Sequence, residues 1–106
     1  MIVVTATMIA HPGQEDALRD VCASLLDATR LEDGCVEYVC GASLENPRQF
    51  QFVEVWSDMD ALKAHTMSDH MVVAGPLMES LSESQVVDAY FADKSRRLKP
   101  RAEPTA

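Results

Sequence analysis

Residues 49–56 read QFQFVEVW, and residues 57–71 continue as SDMDALKAHTMSDHM. The first eight alternate as a strand does, with Phe50, Phe52, Glu54 and Trp56 on one face and Gln51, Val53 and Val55 on the other. An acid placed among three aromatics on the apolar face is the unusual feature. Directly after it, Ser57-Asp58-Met59-Asp60 resembles a helix start with acids in its first turn, and Ala61–His65 continues that helix. Ser68 or Asp69 is placed to cap another. Gly75-Pro76 is expected to break or kink it, since proline lacks the N–H and crowds the preceding turn, with a further short helix running to Leu81.

Upstream of this stretch, residues 35–44 (CVEYVCGASL) read as a strand joined to 49–56 by a turn at Glu45–Arg48, making an antiparallel hairpin. Residues 2–10 (IVVTATMIA) are β-branched and apolar on both alternating sets, which suits a central strand covered on both sides. His11-Pro12-Gly13 ends it. A helix then opens on Gln14, Glu15 and Asp16 and keeps Leu18, Val21, Cys22, Leu25 and Thr29 on one face as far as the stop at Asp33-Gly34. Residues 85–92 (QVVDAYFA) supply a fourth strand. The order β-α-β-β-α-β predicts an α+β, ferredoxin-like fold: one four-stranded antiparallel sheet with helices on one face. Its other face, carrying Val3, Thr5, Thr7, Ile9, Val53 and Val55, is too apolar to stay wet. A homodimer packed sheet against sheet is the expected solution.

The 106 residues suffice for one core. With 47% apolar and 25% charged side chains, the chain is not a disordered one. Residues 1–93 form the expected domain and carry four basic against sixteen acidic side chains. Such a body repels phosphate backbones, which argues against nucleic-acid binding. Residues 94–106 hold five of the nine basic residues, two prolines and no periodicity, the pattern of a disordered tail. No apolar run approaches a membrane span and no signal peptide opens the chain, so a soluble cytoplasmic protein is expected. Cys35 and Cys40, five apart on one strand, are expected on opposite faces and beyond bridging distance, while Cys22 lies on a helix's apolar face. All three read as reduced, structural thiols.

His65 and His70 would stand about 140° apart on a continuous helix, too far to chelate a metal together. A break near Thr66–Ser68 would change their relation, but no further His and no well-spaced Cys completes a metal site. No G-x-G-x-x-G or phosphate-binding loop appears either, so no cofactor is expected. Glu54, on a face turned toward the interior, needs a partner or a raised pKa. Trp56 suits either a core or a wall on which a flat substrate stacks. Tyr38 and Tyr90 are weaker candidates, and His11 in its turn reads as solvated. Met8, Met59, Met67, Met71 and Met78 fill a core or line an adaptable apolar pocket equally well.

The segments IVVTATMIAHPGQEDALRD, LEDGCVEY and FVEVWSDMDALKAHTMSDHM together resemble the antibiotic biosynthesis monooxygenase family, and within it small bacterial quinol-monooxygenase-like proteins. The resemblance spans residues 2–92. It implies a dimeric α/β barrel with a pocket in each subunit between sheet and helices, and a histidine at the position of His65 in or beside that pocket. Some members of the family oxygenate hydroxylated aromatics without metal or flavin; others degrade haem, isomerise small sugar-derived signals or have no established activity. Haem degradation is excluded by residue, because the positions that would carry its Asn, Trp and iron-ligating His hold Ala6, His65 and Gly75.

The function expected is therefore cofactor-independent oxygenation of a hydroxylated aromatic or quinol by molecular oxygen. His65 and Glu54 are the catalytic candidates. Trp56, Tyr38, Phe52, His70 and Met71 are the substrate-binding ones. A small-molecule isomerase or tautomerase using the same histidine, and a dimeric binding module without turnover, are the alternatives.

Overall fold

The computed structural model describes residues 1–100. Eight elements follow one another: β1 (Ile2–Ala10), α1 (Glu15–Ser24), α2 (Leu26–Arg30), β2 (Cys35–Ala42), β3 (Gln49–Trp56), α3 (Met59–Thr66), α4 (Asp69–Leu81) and β4 (Ser82–Phe91). The strands form one sheet in the order β2-β3-β1-β4, every neighbouring pair antiparallel. This is the ferredoxin-like α+β architecture that the element order predicts.

Strand alternation places the core. On β1, Ile2, Val4 and Met8 are buried under the helices, whereas Val3, Thr5, Thr7 and Ile9 on the opposite face are only partly covered. Across the ladder Ile2 pairs with Trp56, Val4 with Glu54, Ala6 with Phe52 and Met8 with Phe50, so the aromatic face of β3 joins the same core. From α1 and its continuation, Leu18, Cys22, Leu25 and Thr29 complete it.

Four features differ from the sequence reading. The first helix is interrupted at Leu25, whose N–H bonds to the carbonyl three residues back, and α2 restarts beyond it. The buried face carries across the break because a tightened turn changes the path of the helix without turning Leu25 outward. At the other helical stretch, α4 runs unbroken through Pro76. Gly75 brings no Cβ into conflict with the proline ring, and a Cβ built there would meet nothing within 4 Å. The carbonyl deprived of its partner belongs to Val72, an exposed residue, where water can serve it.

The third difference is a bulge in β2. Cys35 pairs with Trp56 but Glu37 with Val55, leaving Val36 as the extra residue. Parity is thereby shifted, and Cys35, Tyr38 and Cys40 all pair with residues of β3's helix-facing set. Cys35 and Cys40 thus share a face rather than occupying opposite ones. Their partners Trp56 and Phe52 lie four residues apart, about 13 Å along a strand, which still forbids a bridge. The fourth is the completion of a His-containing cluster by Glu32, described below.

Gly34 holds the start of β2 against the start of α3. Its φ is +79°, its carbonyl accepts from Ser57 N at 2.9 Å, and a Cβ there would fall 2.5 Å from Ala61 Cβ. Residues 94–100 take neither helix nor strand, and Arg96 and Arg97 rest near Val3, Glu37 and Val55 on the outer face. The remainder of the expected tail, 101–106, lies outside the described residues. Among the described residues no helix is long and apolar enough to cross a membrane.

Candidate active site

Between the sheet and the α3–α4 pair lies a cavity of about 240 Å³. This is below the ~300–1,000 Å³ of drug-sized sites and suits a small ligand. Val4, Ala6 and Met8 of β1 floor it, Met71 and Met78 of α4 cover it, and Gln85 and Val87 of β4 stand at its margin. Phe52, Glu54, Tyr38 and His65 complete the end that carries the acid–base groups.

Capping sets the position of His65. Asp58 accepts from Ala61 N at 2.8 Å and starts α3. Eight residues later α3 ends, and Ser68 caps α4, accepting from Met71 N while donating to the carbonyl of His65 at 2.7 Å. Because the chain breaks at Met67–Ser68, His65 and His70 no longer obey one helix's spacing. Their rings stand 6.0 Å apart between centroids and converge on one acid. That acid is Glu32: its Oε2 lies 2.7 Å from His65 Nδ1 and 3.0 Å from His70 Nε2.

An ionised Glu32 can only accept, so Nδ1 of His65 donates in this contact, and in the neutral ring Nε2 then carries the lone pair. Nε2 lies on the side of Glu54, 4.0 Å from Oε1. The ring is clamped, packed at 4.7 Å on Trp56 and edge-on at 5.4 Å to Tyr38. A ring so wedged is held in one orientation, which is the requirement for a positioned base.

Glu54 is buried, and its Oε1 accepts from Trp56 Nε1 at 3.0 Å. Burial pushes its carboxyl above the ordinary range, and the Trp56 hydrogen bond and nearby His65 offset only part of this. Burial likewise raises the Tyr38 phenol, with the Glu54 charge adding to it, so Tyr38 faces the cavity as a neutral hydroxyl-bearing ring.

Of the residues singled out from the sequence, His65, Glu54, Tyr38, Phe52 and Met71 line the cavity together. Trp56 does not. It is fully buried behind Glu54 and His65, where it orients both instead of meeting a ligand. His70 lies outside the lining and reaches the site only through Glu32. Glu32 itself was missed, as it sits in the turn after α2 with no periodic or motif signal, thirty-three residues before its partner. Tyr90 and His11 are exposed and line no part of this cavity.

The three residues Glu32, His65 and His70 offer ligand atoms that all lie within 4.8 Å of one another. The sequence offers no third ligand beside the two histidines; the fold brings Glu32 to them.

Comparison with known proteins places the chain and its fold. The chain is similar to a solved protein from Shewanella oneidensis (34% identity, TM-score 0.81, covering 84% of this chain and 87% of that one). It is also similar to an antibiotic biosynthesis monooxygenase of known structure (26%, TM-score 0.82, 89% and 100%). A Mycobacterium tuberculosis protein shares the fold at 23% identity (TM-score 0.84, 91% and 98%). No curated protein matches the chain. The sequence pattern of the antibiotic biosynthesis monooxygenase family matches residues 1–75, a segment that contains β1 through the first half of α4 and every acid and histidine of the site. The chain belongs to the antibiotic biosynthesis monooxygenase family.

Proposed function

We propose that the protein is a cofactor-independent monooxygenase that oxidises a small hydroxylated aromatic or quinol with molecular oxygen. The observation that carries this reading is the orientation of His65, with Nδ1 tied to Glu32 at 2.7 Å and Nε2 free on the cavity side. Ground-state oxygen is a triplet and reacts slowly with closed-shell molecules. A phenolate is electron-rich enough to give it one electron. His65 Nε2 takes the phenolic proton, and Glu32 stabilises the imidazolium that results, as the acid of a carboxylate–histidine pair does. The substrate anion then reduces oxygen, the two radicals join in a C–O bond, and loss of water leaves the quinone. A monohydric phenol and one O₂ give one quinone and one water.

Met8, Met71, Met78 and Phe52 supply the apolar walls that hold a flat ring and keep water away from the anion. Glu54, held toward its protonated form by burial, donates to a substrate oxygen without adding a second negative charge beside the phenolate.

The protein acts as a homodimer in this proposal. Val86, Val87, Tyr90 and Phe91 of β4 are 58–71% exposed, and a second copy laid against the bare sheet would cover this strand and narrow the cavity's open margin. The cytoplasm is its proposed location.

The test is oxygen consumption by the purified protein with a panel of phenols, hydroquinones and hydroxynaphthalenes. Uptake of one O₂ per quinone formed, with one oxygen atom of ¹⁸O₂ in the product and no hydrogen peroxide released, supports the proposal, and its loss in His65→Ala ties it to the site. Proton exchange on carbonyl substrates without oxygen uptake would instead favour an isomerase.

A further inference from the structure

We propose that Glu32, His65 and His70 form a binding site for a divalent transition metal of the zinc class, and that a bound ion withdraws His65 from proton transfer. The binding half stands on geometry alone. The inhibitory half rests on the proposed monooxygenase reading.

Two imidazole nitrogens from different helices and one carboxylate oxygen are the donor set that borderline divalent ions take, with the fourth position left for water. Bonds of about 2.0–2.1 Å put the ligand atoms of a tetrahedral site about 3.3 Å apart. Here Nδ1 of His65 and Nε2 of His70 lie 2.7 Å and 3.0 Å from the same Glu32 oxygen. A metal therefore requires these two contacts to open by about 0.3–0.6 Å and the two ring nitrogens, which lie within 4.8 Å of each other, to settle at the same spacing, within the reach of side-chain torsions. The backbone is prepared for it. The break between α3 and α4, pinned by Ser68 to the His65 carbonyl, is what points both rings at one acid.

A second observation comes from the far side of His65. Metal-ligating histidines characteristically give their other N–H to a carboxylate. Nε2 of His65 lies 4.0 Å from Glu54 Oε1, beyond hydrogen-bond distance, so the ring must turn toward Glu54 on binding the ion to gain that support. Access is graded: the side chains of His70 and Glu32 are 23% and 16% exposed, against 4% for His65. An ion thus enters from the His70 side.

The protons balance without a net release from neutral rings. Nδ1 of His65 gives up its hydrogen to become a ligand, and the ring carries it on Nε2 instead. His70 makes the converse exchange, from Nε2 to Nδ1. The consequence falls on His65, because the nitrogen that faces the cavity becomes a donor and no longer has a lone pair to accept a phenolic proton.

The experiment uses the full-length metal-free protein. Titration with Zn²⁺ by calorimetry should show one ion per chain, and Co²⁺ should give the intense visible bands of four-coordinate cobalt without a thiolate charge-transfer band. His70→Ala and Glu32→Gln should each weaken Zn²⁺ binding at least tenfold, while Cys35→Ser should leave it unchanged. Zn²⁺ should also raise the thermal midpoint of the wild-type chain and not that of His70→Ala. A thiolate band, unchanged affinity in His70→Ala, or no stoichiometric uptake overturns the site. With a substrate in hand, Zn²⁺ should reduce turnover at least ~100-fold, the scale of losing a positioned base. Tight binding through these residues with undiminished turnover would overturn the inhibitory half and the role of His65 as base, leaving the site standing.

Discussion

β3 and β4 flank β1 on either side and pair with it antiparallel over nearly its whole length. Yet Phe50, Phe52, Glu54 and Trp56 of β3 are all buried, whereas every residue of β4 after Ser82 is exposed. Both strands bond to β1, but β3 is paired with β2 on its other side whereas β4 is the sheet's edge, and the cover differs as well. The helices leave β4 as an uncovered edge whose second half, Val86 to Phe91, is apolar but for Asp88. Soluble proteins seldom leave such an edge uncovered. The cavity lies on the boundary between these regimes, with its acid–base end on the finished side and Gln85 and Val87 on the unfinished one. The proposed chemistry is thus anchored where packing is complete, and the opening lies where the proposed second copy would complete it.

Breaking the finished side should have the largest effect. Trp56→Ala removes a fully buried ring and both of its partners' support, and should lower stability by about 3–5 kcal/mol, read as a fall in denaturant midpoint at constant slope. A loss below about 1 kcal/mol would mean that β3 is no better anchored than β4. Next comes His65→Ala, expected to keep fold and assembly while losing at least ~100-fold in turnover, or about 2.7 kcal/mol of transition-state stabilisation. Steady-state oxygen uptake over a range of pH measures it, and His70→Ala should lose less.

On the unfinished side, Val86→Asp and Tyr90→Asp separate strand from cover. In an isolated chain, exposed positions such as these cost within about 0.5 kcal/mol. If a second copy covers β4, both changes instead shift the monomer–dimer midpoint to higher protein concentration by tenfold or more, as measured by sedimentation. Light scattering that shows only an 11.7 kDa species for the wild type at micromolar concentration would remove the proposed cover altogether.

The smallest effect concerns Glu54. Its folded pKa is raised, chiefly by burial, so its contribution is complete below the unfolded carboxylate pKa and is lost as pH rises through the folded one. Glu54→Gln keeps an oxygen for Trp56 Nε1 and cannot ionise. The two stability–pH curves should therefore converge at acid pH, with the variant the more stable above that window. A variant that is less stable at neutral pH would show that the charged form has support beyond Trp56 and His65.

What the sequence made legible follows from periodicity. Alternation in QFQFVEVW places Phe52 and Glu54 on the helix side, and the Asp58 and Ser68 signals place the starts of α3 and α4. Single-residue departures from periodicity were not legible. Val36 is one residue too many in β2, and no local preference announces which way parity will fall, so Tyr38 was undervalued and Cys35 misplaced. Leu25 and Pro76 show tertiary packing overriding helix-breaking and helix-continuing signals in opposite directions. Glu32 is the clearest case: an acid in an acid-rich turn, distinguished only by what the fold brings to it.

Gly34 has a consequence for how this protein will look under random mutation. Every missense change at a glycine codon adds a Cβ, and here that atom meets Ala61 Cβ and Ser57 Oγ while the backbone holds a left-handed turn. No conservative replacement exists. The turn carries Glu32 two residues before it, and Ala61 lies one helical turn before His65. A deep mutational scan scored by turnover should therefore rank Gly34 among the least tolerant positions, beside His65, although it touches no substrate. A scan scored by abundance would separate the two, because only Gly34 should be depleted in both.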